Sequence, residues 1–193
     1  MLYSLLGNFF HFMVALLLAV LEIQTEGRYG WAARLPTWRP RQDSFVSRWF
    51  SRIMSGKPAT GYHLVMFSFV FLLFHWPYIY GWPLTLANWL KTVSLFLSTV
   101  VLWDFLWFVL NPAYPLKYFQ KEVVAWHKHW WGRLPLDYFF GLLASVVVLL
   151  PLLFLGYGLE PFGWWLINNS LFALLTCLVI ILSFIFRGFN NLK

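Results

Sequence analysis

A chain of 193 residues that is 61% hydrophobic, 22% aromatic and only 11% charged lacks the polar surface of a water-soluble domain, which is usually about a quarter charged. Its net charge of +7 sits in short segments between long apolar runs, which argues against nucleic acid and for membrane lipids with anionic headgroups as the partner. The lone cysteine, Cys177, lies inside an apolar run and excludes an intramolecular disulfide framework or a thiol-only metal motif.

Five stretches reach or approach the roughly 20 residues a helix needs to cross the hydrocarbon core: 2–23, 63–80, 89–110, 137–155 and 164–186. They predict one integral membrane domain over 1–193, an all-α polytopic helical bundle. The first stretch has no Lys or Arg before Arg28 and is too long for a cleaved signal h-region, so it is expected to stay as a span. Asn8, His11, Ala15, Ala19, Glu22 and Glu26 recur along it at helical steps and share one face. The two alanines on that face allow a neighbouring helix to approach closely.

The connection that follows, 24–62, begins with a Pro- and Trp-containing extended piece at 31–40. Over 43–54, Phe45, Val46, Trp49, Phe50 and Ile53 fall on one face, with Ser44, Ser47, Arg48, Ser51 and Arg52 largely opposite. Asp43 or Ser44 caps this segment and Gly56 stops it, which predicts an amphipathic helix lying in the membrane interface. The second span starts at His63 and carries His75 and a kinking Pro77 towards its other end. A tight connection around 81–83 leads to the third span, where Asp104 lies near the end and shares a face with Leu97, Val101, Trp107 and Asn111. The long connection 111–136 repeats the amphipathic device over 117–131. There Phe119, Val123, Trp126 and Trp130 form the apolar stripe, and Lys117, Lys121 and Lys128 gather opposite. The fourth span contains Pro151, and a tight connection over 156–163 leads to the last.

Alternating the spans puts both long connections and the C-terminus on one side. All but one of the 14 Lys and Arg fall there, in 28–57, in 117–133 and at Arg187 and Lys193; only Lys91 lies opposite. The positive-inside rule then places the N-terminus outside and the C-terminus in the cytoplasm of a plasma (inner) membrane.

Ionisable groups within spans are costly and mark functional sites by default. Glu22, Glu26 and Asp104 reach one cytoplasmic layer, where alternation also brings His63 and where the run containing His127 and His129 begins. These six are the candidate metal ligands, and mixed carboxylate and imidazole donors suit iron, manganese or zinc. Glu22, Glu26, Asp104 and His127 are the candidate catalytic groups, and Trp103, Trp107, Asn111 and Trp126 the candidate lining for a lipid-like or isoprenoid substrate. Two features of other metal proteins are missing: the Glu-x-x-His pair of ferritin-like di-iron bundles and the dense histidine boxes of membrane desaturases. The competing explanation is an Arg–carboxylate network in which Arg28, Arg34 or Arg39 ties the first loop to Glu22 and Glu26.

His11 lies about 16 Å along its helix from Glu22, too far for this layer. With His75 it forms a separate candidate pair for haem, weighed against two singly hydrogen-bonded histidines. No nucleotide loop, nucleophile motif or transporter-like repeat occurs. The leading expectation is a membrane enzyme acting on a membrane-embedded substrate with a divalent metal. The alternative is a non-catalytic subunit or assembly factor of a larger membrane complex, haem- or pigment-associated, with homo- or hetero-oligomers open to either.

Overall fold

A computed structural model describes residues 2–114 and 116–190, with side chains over 5–114 and 116–185. The side chain of Arg187 and all of Lys193, counted above, lie outside the described residues. Helix α1 (Leu2–Glu26) leads to the short α2 (Phe45–Ile53), then α3 (Gly61–Ile79) and α4 (Leu86–Leu110). After α4 come a 3-10 turn (Leu116–Tyr118) and a small antiparallel hairpin of β1 (Trp130–Trp131) and β2 (Leu134–Pro135). The chain ends with α5 (Leu136–Val147), α6 (Leu150–Phe154) and α7 (Glu160–Asn190). Five segments are long and apolar enough to cross a membrane: Leu5–Glu26, Gly61–Ile79, Leu86–Leu110, Leu136–Phe154 and Glu160–Ile185. Each falls on one of the five expected stretches.

Helix starts follow local chemistry. Ser44, Thr60 and Thr85 are extended N-caps whose side chains accept from the backbone N–H three residues on, satisfying donors that the first turn leaves free. Helix α1 stops at Gly27, whose φ of +61° suits glycine. The fourth span breaks between α5 and α6 because Pro151 has no N–H to give to the preceding turn.

Helix α4 is the centre of the bundle, packing on α1, α3, α5 and α7. Small side chains permit this closeness. Ala15 and Ala19 of α1 are completely buried, and on α4 Ser94 donates to the Ser145 carbonyl of α5 at 2.6 Å. The Trp165 indole of α7 donates to Ser145 Oγ at 2.8 Å, joining the third helix to the same point. The main core gathers Phe12, Leu18, Phe74, Leu106, Phe108 and Phe172. Outward faces remain apolar and exposed, as at Val65, Leu72, Leu143 and Leu174. Exposed apolar faces of this kind accompany helices long and apolar enough to cross a membrane.

The segment 117–131 is not a helix. Beyond the 3-10 turn its backbone forms turns and then β1. Trp126 packs edge-on against Trp107 and stacks on Phe108, while His127 turns inward to Asp137. These tertiary contacts place neighbouring residues where a regular helix would point them about 100° apart. The amphipathic stripe is real, but its aromatic side faces the core of the protein. In 43–54 the helix does form, and only Phe50 of its apolar face is buried; Phe45, Trp49 and Ile53 are exposed.

Candidate functional site

The site lies where the C-terminal end of α1, the N-terminal end of α3, the last turns of α4 and the start of α5 meet. Glu22 and Glu26 are one turn apart on α1 and both are buried. His63, in the first turn of α3, is 1% exposed. Its Nδ1 meets the Thr60 hydroxyl at 2.7 Å, so the cap residue of α3 also orients the ring. Its Nε2 is buried without a hydrogen-bond partner and lies 3.6 Å from a carboxylate oxygen of each glutamate. The candidate ligand atoms of Glu22, Glu26 and His63 all lie within 4.8 Å of one another.

The chain leaving α1 is bent to wrap this cluster. Gly30, Trp31 and Ala32 all adopt positive φ, a conformation that costs a residue with a side chain about 1–2 kcal/mol. Specific contacts hold it. The Glu26 carboxylate accepts from the Ala32 N–H, Arg39 donates to the Ala32 carbonyl at 2.5 Å, and the Trp31 indole donates to the Pro58 carbonyl at 2.9 Å. The Trp31 ring thereby stacks on His63, with centroids 3.9 Å apart and planes 14° from parallel. The Lys57 ammonium also sits over the Trp31 ring, 4.4 Å from its centroid.

Beside the cluster lies a second set of charges that satisfy one another. Lys57 is 2% exposed and its Nζ is 2.9 Å from Asp137 and 3.7 Å from Asp104. His127 bridges the same two carboxylates, with Nδ1 2.9 Å from Asp137 and Nε2 3.2 Å from Asp104. The Tyr138 hydroxyl donates to Asp104 at 2.5 Å. Burial alone would lower the pKa of His127, but Asp104 and Asp137 outweigh it and raise it above the ordinary histidine value. Lys57 and His127 thus balance Asp104 and Asp137 in this quartet, while Glu22 and Glu26 face His63. Among the described residues no Arg or Lys lies within ion-pair distance of either glutamate.

A cavity of about 280 Å³ opens from this layer. Glu22, Lys57, His63, Asp104, Asp137 and Tyr138 line its polar end. Leu97, Val100 and Val101 of α4 and Phe140, Gly141 and Ala144 of α5 form apolar walls. Phe140 and Ala144 are also exposed on the outer surface, so the α5 wall of the cavity reaches the outside of the bundle. Gly141 keeps these helices close, since a Cβ there would meet Val101 at 2.5 Å. A separate void of about 10 Å³ lies among Glu22, Glu26, Asp104, Trp107 and Trp126, room for about one water-sized species.

The expected residues therefore separate. Glu22, Glu26 and His63 form one cluster and Asp104 joins the adjoining quartet. His127 sits behind Asp104 and does not line the cavity. His129 is exposed, outside both groups. Trp103 lines the cavity, and Trp107 and Trp126 line the small void. Asn111 instead ties the ends of α4 and α1 together, donating to the Gly27 carbonyl at 2.7 Å and accepting from the Ala113 N–H. His11 and His75 each bond a carbonyl of their own helix, of Gly7 and Phe71; His11 packs on Phe74. Arg34 donates to Tyr29 and Arg39 to Ala32, so the expected Arg–glutamate network does not form among the described residues. Trp31, Lys57, Asp137 and Tyr138 were not anticipated.

Compared with protein-family models, curated proteins and solved structures, the chain finds no match in any of the three.

Proposed function

We propose that this protein is a plasma-membrane enzyme that binds a divalent metal at Glu22, Glu26 and His63 and acts on a lipid-like or isoprenoid substrate. The observation that carries this reading is the junction of two features: buried carboxylates facing an unpartnered imidazole nitrogen, and a cavity polar at that end and apolar along its walls. Two buried carboxylates aimed at one nitrogen repel unless a proton or a metal cation sits among them. Two oxygen donors and one nitrogen suit iron, manganese or zinc. Such an ion supplies Lewis acidity or an activated water. The residues themselves supply position: Thr60 and Trp31 fix the His63 ring, and Lys57 holds Asp104 and Asp137 at the cavity's polar end. Entry between α4 and α5 lets an amphiphile keep its tail in the bilayer. The distribution of Lys and Arg supports a cytoplasmic location for this layer, with the N-terminus outside, and the exposed apolar face of α2 supports its placement in the membrane interface.

Elemental analysis of the folded protein, paired with mass spectrometry of lipid extracts incubated with it, tests the reading. The expected result is about one equivalent of iron, manganese or zinc per chain, with a change in the lipid pool that Glu22→Gln and His63→Gln both abolish. Folded, metal-free protein that leaves the extract unchanged would overturn it. That outcome supports the alternative, a non-catalytic subunit of a larger complex, for which the mutually satisfied quartet around Asp104 is the favouring observation.

A further inference from the structure

On the far side of the 54–58 segment lies a second, larger pocket, about 430 Å³, that shares no lining residue with the cavity. Arg48 and Arg52 reach it from α2, one turn apart. Ser47 and Ser51 add two hydroxyls from the same helix. The third cation, Lys128, comes from the irregular segment after α4. Its stem crosses Gly56 so closely that a Cβ there would meet Lys128 Cδ at 2.7 Å. Gly56 also has a φ of +89°, so glycine serves both the turn and the passage of this side chain.

Among the described residues no carboxylate lines the pocket. Among the described residues Arg48, Arg52 and Lys128 enter no ion pair; Asp43, the nearest acid in sequence, is held by Arg41 at 3.2 Å. Cations gathered from distant parts of a chain raise the local positive potential and attract an anion. Guanidinium groups and serine hydroxyls are the donors that phosphate oxygens accept from best. We infer that this pocket binds a phosphomonoester group. Three cations match its charge of about −1.5 to −2 at neutral pH better than the single charge of a phosphodiester. An amphipathic α2 lying in the interface would hold the pocket at headgroup depth, so the group can come from a lipid headgroup or from soluble phosphate.

Full-length protein in phosphatidylcholine nanodiscs doped with phosphatidic acid, or with phosphatidylglycerol at equal surface charge, separates the possibilities. Native mass spectrometry reads the retained lipid, with inorganic phosphate as soluble competitor. Preferential retention of phosphatidic acid is expected, weakened about tenfold by Arg48→Gln or Arg52→Gln. Gly56→Ala, which displaces Lys128, should weaken it as well. If millimolar phosphate binds in a way these variants weaken while lipid shows no preference, the ligand is a soluble phosphate. Equal retention of both lipids without phosphate binding overturns the inference, as does unchanged binding in the Arg48→Gln/Arg52→Gln double variant. All substitutions but Gly56→Ala fall on exposed side chains, and a wild-type circular dichroism spectrum and thermal transition confirm that each variant is folded.

Discussion

Lys57 is the residue whose loss has the widest effect. Its ammonium holds Asp104 and Asp137 together while resting on Trp31. Lys57→Met would leave two buried carboxylates short of a cation, and breaking such a pair costs about 3–5 kcal/mol. Denaturation followed by tryptophan fluorescence in detergent should show a loss of that size; a change below about 1 kcal/mol, the size typical of a surface pair, would mean the quartet does not carry the loop. His127 makes the same network pH-dependent. Its pKa is raised in the folded state, with Asp104, Asp137 and Lys57 as the charged groups facing it. The stability it contributes is therefore fully present below the unfolded value, about 6.5, and is lost as pH rises through the higher folded value. The gap in melting temperature between wild type and His127→Asn should be widest under mildly acidic conditions and narrow towards alkaline pH.

At the scale of elements, the wrap after α1 is held against backbone preference. Gly30→Ala would force a side chain into a position with φ of +55° and 2.6 Å from the Trp126 ring. A cost above the roughly 1 kcal/mol of the backbone alone is expected, together with weaker metal retention, because Trp31 would lose its seat against His63. Much of this architecture is legible in the residues. The spans are apolar runs of the right length, and Glu22, Glu26 and His63 come to one depth once the turns are counted. What misleads is local evidence with two physical readings. Phe119, Trp126 and Trp130 recur as an amphipathic helix would require, yet packing against Trp107 and Phe108 overrides the period. Asp137 looks like an ordinary acid in the first turn of a helix, where it suits the dipole, and Lys57 like one more loop charge. Their pairing depends on α2 and the 119–129 segment folding over the bundle, which no local pattern encodes.

For the whole molecule, the proposed function requires that a lipid-like substrate reach the charges past the exposed α5 wall of the cavity. Ala144→Phe at its exposed edge should block this route while leaving Glu22, Glu26 and His63 in place. Lipid co-purifying with the protein should fall while metal content holds; loss of both, or of neither, would place the entrance elsewhere. The same span is divided in the opposite half of the bundle. With Pro151 unable to donate, the Val147 carbonyl is left without its ordinary partner, and the ladder restarts at Leu150. Asp137, Tyr138, Gly141 and Ala144 all lie on the α5 side of that interruption. Amide hydrogen exchange should thus be fastest within this span around 148–150, and protection of α5 should respond to what occupies the cavity while that of α6 does not.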